Sequence, residues 1–295
     1  MRALVIGASG QVGGALCEAL AGGGHAVVGT HGRVPAPGTV PLDFTDAAAA
    51  ERLIVETRPD WIFCAAALTN VDYCEDHPRA AERLNRDAPA AAARIAVRIG
   101  AGFVFYSTEY VFDGTAGPYA EDDPPKPLSV YGRTKWEAEQ AVREAAPRCA
   151  IARTTVVYGP ERQEKNFVYQ LLRRCRAGES VRVPVDQVSS PTYNADLAAA
   201  SVELAERGLT GVWHLAGTSV MDRYAFARLA ASVFGLDAAG IVPVSTESLG
   251  QRAPRPLRGG LAVERAGRAL ATPLRSAREG LEAMRNAIAP PGKLR

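Results

Sequence analysis

The stretch Ala3-Leu4-Val5-Ile6-Gly7-Ala8-Ser9-Gly10-Gln11-Val12-Gly13 decides the fold. Four successive apolar residues without polar alternation describe a strand buried on both faces. The run stops at glycines spaced GxxGxxG, and Val12–Ala21 continues as a helix. Glycines in such a turn have separate tasks: a tight bend, close approach of backbone to a pyrophosphate, and close packing of helix on strand. The helix N-terminus then offers unpaired N–H groups and a positive dipole end to phosphate oxygens. Gly7, Gly10, Gln11, Val12 and Gly13 are therefore dinucleotide-binding candidates, against the plainer alternative of a turn used only for packing.

The same rhythm extends outward. Ala26–Thr30, Trp61–Cys64, Phe103–Tyr106 and Cys149–Arg153 read as strands, with helices over Ala47–Thr57, Pro78–Ile99 and Tyr131–Ala145. Strands separated by helices imply βαβ units, hence an α/β protein with a doubly wound parallel Rossmann-like sheet. After Tyr158 the pattern loosens into a helix over Phe167–Ala177, a short strand Val181–Val183 and a helix Asn194–Glu206, while Val212–Leu215 is placed to rejoin the main sheet. The expected organisation is a dinucleotide-binding domain over 1–157, to which about 191–217 returns. A smaller α/β substrate lobe is expected from 158–190 and 218–295.

Composition narrows the function classes. The chain has 295 residues, of which 47% are hydrophobic, enough for a sizeable core. Its 34 basic and 32 acidic residues nearly cancel, which argues against a nucleic-acid surface. Cys17, Cys64, Cys74, Cys149 and Cys175 are odd in number and contain no CxxC pair, so they read as reduced thiols. His25, His31, His77 and His214 lack zinc-site spacing, and no metal is expected. The apolar run after Met1-Arg2 is too short for a signal peptide. No stretch approaches a membrane span. The expectation is a soluble cytoplasmic protein with neither nucleic acid nor membrane as partner.

The second strand ends Gly29-Thr30-His31-Gly32-Arg33, without the acidic residue that usually takes the ribose 2′-hydroxyl of NAD. Arg33 can instead pair with a 2′-phosphate. This favours NADPH, with NADH as the alternative. Asp43, followed by Phe44, is placed to reach the adenine amine; a helix cap competes for Asp43, although Asp46 suits that role better. Ala65 and Ala66, small residues after the third strand, let backbone approach the cofactor.

Tyr131 and Lys135 stand four residues apart on a predicted helix, hence on one face. A free tyrosine has a pKa of about 10, and a neighbouring ammonium favours its phenolate. The same lysine can bind ribose hydroxyls. Ser107-Thr108 ends the fourth strand, where ligands of open α/β sheets bind, so Thr108 should meet Tyr131 and Lys135 and donate to a substrate carbonyl. Capping a turn is the alternative use of that hydroxyl.

Together these residues resemble the extended short-chain dehydrogenase/reductase family, and within it the dTDP-4-dehydrorhamnose reductase group. The resemblance covers nearly the whole chain. It rests on GASGQVG at 7–13, Ala67-Leu68-Thr69-Asn70-Val71-Asp72, STEYVFDG at 107–114, YGRTK at 131–135, Asn166-Phe167-Val168, Asp186-Gln187 with Ser190-Pro191-Thr192, and Gly211–Gly217. It implies a catalytic set on Thr108, Tyr131 and Lys135, with Tyr131 and Lys135 also touching the cofactor. It implies a nucleotide-sugar substrate contacted by Thr69, Val71, Thr108, Glu109, Asn166 and Thr192, with Arg182 and Arg255 as further candidates. Members commonly carry Asp where this chain has Glu109. Some relatives use a divalent metal in dimer assembly, but no residue here carries that over. The implied activity is NADPH-dependent reduction of the C4 keto group of a nucleotide-linked 6-deoxy sugar; a homodimer is the assembly left open. Two other readings share the fold: a non-catalytic regulatory subunit resembling the methionine adenosyltransferase β-subunit, and a sugar-nucleotide epimerase or dehydratase that keeps its cofactor bound.

Overall fold

The computed structural model describes residues 1–288. In chain order it begins β1 (Arg2–Ile6), α1 (Gln11–Gly22), β2 (Ala26–His31), β3 (Thr39–Pro41), α2 (Ala47–Thr57), β4 (Trp61–Cys64), α3 (Val71–Asp76) and α4 (Pro78–Ala81). A π-helical turn, Glu82–Asp87, leads into α5 (Ala88–Arg98), β5 (Gly102–Thr108), α6 (Val130–Ala145), β6 (Cys149–Thr154) and β7 (Val157–Tyr158). Then come α7 (Phe167–Arg176), β8 (Val181–Pro184), β9 (Val188–Ser189), β10 (Thr192–Tyr193), α8 (Asn194–Glu206) and β11 (Gly211–His214). The chain closes with β12 (Met221–Asp222), α9 (Arg223–Val233), β13 (Ile241–Val244), α10 (Glu264–Ala269) and α11 (Ala277–Ile288).

Seven strands form one sheet in the order β11-β6-β5-β4-β1-β2-β3, with every neighbouring pair parallel. The order reverses beside β1, so a crevice opens at the carboxyl ends of β1 and β4. The unbroken apolar run of β1 serves both sides of the sheet. Ala3 and Val5 pack with Leu16 and Leu20 of α1 and Leu197 of α8. Leu4 and Ile6 pack with Ile54 of α2, Ile95 of α5 and Val142 of α6 on the opposite face. Successive side chains point to opposite faces, so this doubly covered strand is apolar at every position from Ala3 to Ile6. The chain is therefore α/β and doubly wound, with a Rossmann-like sheet.

A third cluster lies outside these two layers. Val168 and Leu171 of α7, Phe226 of α9, and Leu281 and Met284 of α11 close over Val181 of β8 and Ile241 of β13. Strand β8 pairs with β13 in a small parallel sheet. The connecting pieces return: β10 pairs with β7, α8 packs on α1, and β11 joins β6. Residues 289–295 of the expected substrate lobe lie outside the described residues.

The expected continuous helix over Pro78–Ile99 is instead interrupted by the π-helical turn at Glu82–Asp87. Pro89 explains the interruption. It has no N–H for the Asn85 carbonyl four residues back, and its ring would press on that carbonyl in a regular α-helix. The wider turn relieves the clash. Strands β3, β9, β10 and β12 have two or three residues each, too short for any periodicity to announce them. Among the described residues no helix is long and apolar enough to cross a membrane.

Candidate active site

The glycine turn sets one wall. Gly7 has φ +92°, and a Cβ there would sit 2.8 Å from the Ala66 nitrogen. A Cβ on Gly13 would lie 2.2 Å from the Gly7 carbonyl oxygen, so α1 packs on the turn only because position 13 is bare. The Gly7 N–H donates to Thr30 Oγ1 at 3.1 Å, and Gly10 begins α1 as its N-cap. The first turn of α1 carries no acidic residue that would repel phosphate. The buried side-chain nitrogen of Gln11 has no protein partner. A bare glycine cradle, a free helix N-terminus and an orphaned amide donor fit the pyrophosphate of a dinucleotide.

From this wall a cleft of about 890 Å³ runs along the carboxyl ends of β1, β4 and β5 and under the second lobe. Gly10, Gln11, Val12, Gly13, Ala65, Thr69, Val71, Thr108, Tyr131, Lys135, Asn166, Arg182 and Arg255 all line it. Ser129 caps α6 by accepting from the Gly132 N–H at 3.2 Å, which starts the helix one residue before Tyr131. The next turn then places Lys135 on the same face, where its Nζ lies 4.0 Å from the Phe105 ring centroid. The Tyr131 ring meets Tyr110 edge-on, with centroids 5.6 Å apart. Thr108 ends β5 and accepts from the Tyr110 N–H at 3.2 Å, so its hydroxyl both caps a turn and faces the cleft.

The electrostatics differ from the simple expectation of a tyrosine made acidic by lysine. Burial pushes the Tyr131 phenol above its ordinary value; the Thr108 hydroxyl beside it acts in the opposite direction, and Tyr110, Cys74 and Glu109 add to the rise. Lys135 is pulled down to about 8 by burial, against the upward influence of Cys64 and Glu139. Burial thus favours the protonated phenol of Tyr131, which stands one helical turn from the Lys135 ammonium.

Several expected site residues are bonded within the fold or stand away from the cleft. Glu109 does not line the cleft: its carboxylate is buried, accepts from the Thr155 hydroxyl and takes the Gly260 N–H at 2.7 Å. Burial pushes it up to about 7 despite those two donors. Thr192 is also turned inward, donating to the Ser190 carbonyl at 2.9 Å and accepting from the Gly217 N–H at 3.3 Å. Asn166 lines the cleft, but its amide is spent on capping α7 and on the Gly159 carbonyl. Phe44 is buried in the core beside α2, and Asp43 is exposed and bound to Thr45. Asp46 takes the α2 cap. Arg33 is exposed beyond β2 and makes no ion pair among the described residues. Gly7 and Ala66 lie beneath the turn rather than on the cleft surface.

Other residues carry no signal in the local sequence pattern. Gln163 reaches from the second lobe to donate to the Ser9 carbonyl at 2.8 Å, spanning the glycine turn. Arg223 lines the cleft near Tyr110 and stacks on Phe167 with 4.6 Å to the ring centroid. Asn85, fully buried in the π-helical turn, accepts from the Leu68 N–H at 2.8 Å and donates to the Leu68 carbonyl at 3.0 Å. It therefore pins the backbone just before Thr69. An amide set between helix-forming residues is the one hint the sequence holds for it. Among the described residues, no group of three or more His, Cys, Asp or Glu is placed to hold a metal ion.

Known proteins share this architecture. The family model described as RmlD substrate binding domain matches residues 1–289. A dTDP-4-dehydrorhamnose reductase of Mycobacterium tuberculosis is 38% identical over 287 residues, covering 95% of this chain and 91% of that protein. Methionine adenosyltransferase 2 subunit beta of Bos taurus is 34% identical over 262 residues, covering 86% and 78%. Among solved structures, dTDP-4-dehydrorhamnose reductase of Bacillus anthracis, in complex with NADP, superposes with a TM-score of 0.89 at 30% identity, covering 97% of this chain and 99% of that one.

Proposed function

The chain belongs to the RmlD substrate binding domain family, the dTDP-4-dehydrorhamnose reductase group of extended short-chain dehydrogenases/reductases, and from that premise we propose that it reduces the C4 keto group of a nucleotide-linked 6-deoxy sugar with NADPH. The observation that carries this reading is the convergence of Thr108, Tyr131 and Lys135 on the cleft that also holds the glycine turn. When bound, the reduced nicotinamide supplies the hydride. The chain's own residues manage the oxygen and its proton.

Thr108 donates its hydroxyl to the carbonyl oxygen and orients it. Tyr131 then gives its phenolic proton to that oxygen as charge develops. A reduction needs the donor protonated beforehand, and the upward push of burial on Tyr131 meets that need. Lys135 stabilises the phenolate left behind and offers its N–H groups to ribose hydroxyls. Gln11 and the N-terminus of α1 take the pyrophosphate. Arg182 and Arg255 take the diphosphate of the sugar nucleotide, Thr69 and Val71 the sugar. The lobe of residues 158–190 and 218–288 selects the substrate. Buried Cys64, Cys74 and Cys149 suit a reducing, cytoplasmic setting. A homodimer is the assembly to test by light scattering.

The test is consumption of NADPH, followed by absorbance, with dTDP-4-keto-6-deoxy sugars. Tyr131→Phe should lose about three orders of magnitude in kcat, within the range removed with a general acid. Undiminished turnover in that variant would reject the role given to Tyr131. The similarity to the adenosyltransferase subunit favours one rival, a regulatory protein. Co-purification with a synthetase together with absence of turnover would support it. Cofactor recycling without net consumption would instead mark an epimerase.

A further inference from the structure

Tyr131, Lys135 and Glu139 succeed one another at single-turn spacing along α6. The first two line the cleft, and the third is fully buried behind them. A carboxylate is costly to bury unless its charge and lone pairs are engaged. Here two strands engage it. Arg153 of β6 donates to it from Nε at 3.0 Å and from Nη2 at 2.7 Å, and Ser107 of β5 donates to Oε1. Arg153 is itself 2% exposed and held by the Glu121 carbonyl at 3.2 Å and the Phe112 ring at 5.1 Å. His214 lies 3.4 Å from its Nη1 and stays neutral, because burial and Arg153 press its pKa down to about 3.

A buried ion pair adds little stability over apolar residues of the same volume. Architecture alone therefore leaves the charges unexplained. Lys135 supplies the explanation. It is 2% exposed, yet among the described residues it makes no ion pair within 4.0 Å. The clamp keeps the Glu139 carboxylate from swinging onto the ammonium, so its charge acts on Lys135 through space. We propose that Glu139, clamped by Arg153 and Ser107, is a positioning residue that keeps the Lys135 ammonium charged in the cleft while leaving its N–H donors free for ligand. Its purpose rests on the reductase reading; its test does not.

The groups facing Lys135 are few. Cys64 of β4 and Glu139 raise its proton affinity; Tyr131 precedes it on its own helix; the uncharged Phe105 ring of β5 lies 4.0 Å from its Nζ; and Arg153 is paired with Glu139. Burial pushes the Cys64 thiol up to about 12, so near neutrality Glu139 is the negative charge that counts.

The chain has only four lysines, Lys126, Lys135, Lys165 and Lys293, so isotope-labelled lysine NMR can titrate Lys135 directly in the full protein. Glu139→Gln should lower the Lys135 midpoint by about one pH unit, while Glu139→Asp should keep it near that of the parent. Stranding Arg153 can unfold the first variant. The double variant Glu139→Gln with Arg153→Gln removes both charges and should still lower the midpoint, since Glu139, and not Arg153, is among the charges that act on Lys135. The alkaline limb of kcat/KM should move in the same order. An unmoved Lys135 midpoint in either charge-removing variant that folds overturns the proposal. A shifted midpoint in a protein that turns over no keto sugar upholds it and rejects the reductase reading instead.

Discussion

Asp72 and Arg255 meet at the edge of the cleft, where one carboxylate oxygen accepts from Nη2 at 2.9 Å and from the Ala253 N–H at 3.0 Å. Asp72 stands on α3, in the segment that also carries Val71, and Arg255 on the loop after β13. The pair fixes the guanidinium while its Nη1 remains buried without a partner. In the proposed reading that nitrogen donates to the diphosphate of the sugar nucleotide. Arg255→Ala should raise the KM for the sugar nucleotide roughly ten- to a hundredfold, the worth of one charged hydrogen bond, with a smaller effect on kcat. Steady-state kinetics at varied sugar nucleotide will check this; an unaltered KM would remove Arg255 from the binding set.

Lys135 is a buried ammonium, and its burial costs stability. Its folded pKa of about 8 lies below the ordinary 10.5, so between those values the unfolded chain holds more protons and stability rises with pH. Below about 8 the buried charge is a full cost. Lys135→Met should therefore be nearly inactive yet more stable at pH 7, by on the order of 2 kcal/mol in urea unfolding. In the parent protein, kcat/KM should fall as pH rises through about 8 and the ammonium is lost.

Arg33 is the residue proposed to choose between the two cofactors. It is exposed and makes no ion pair among the described residues, so substitution disturbs little else. Arg33→Ala should weaken NADPH about tenfold, as loss of a charged phosphate contact does, and leave NADH unchanged. Fluorescence titration of both cofactors measures the ratio. Equal weakening of both would point to a different contact for the 2′-phosphate.

Gly13→Ala tests the turn. The added carbon would first meet backbone: the Gly7 carbonyl oxygen at 2.2 Å, its carbon at 2.7 Å and Ala8 Cα at 2.8 Å. With no flexible side chain to yield, α1 must lift from β1. The expected loss is about 1–3 kcal/mol in urea unfolding, accompanied by weaker dinucleotide binding. Wild-type stability together with wild-type binding would mean that the turn tolerates the shift.

Legibility in the chain depends on range. The β1 strand, the glycine turn and the spacing of Tyr131 and Lys135 are local patterns, and local periodicity carries them. The parallel sheet is legible too, because βαβ connections leave few arrangements. Residues whose roles depend on distant partners are opaque. Glu109 looks like a cleft residue until Gly260, far along the chain, takes its carboxylate. Thr192 is claimed by Gly217, and Gln163 by Ser9. The acidity of Tyr131 is misleading for the same reason: the neighbouring cation is visible in the sequence, whereas the burial that outweighs it belongs to the assembled fold.

The π-helical turn at Glu82–Asp87 constrains how this chain can vary. It holds one more residue than a regular helix would need, and that residue sets the phase of Asn85. Deleting a single residue between 82 and 87 would restore regular winding, remove the bulge that presents Asn85 and press the Pro89 ring back on the carbonyl four residues before it. Asn85 would lose its grip on Leu68, and the backbone ahead of Thr69 would be released. A change of length is thus barred from this one helix, although it touches none of the reacting groups.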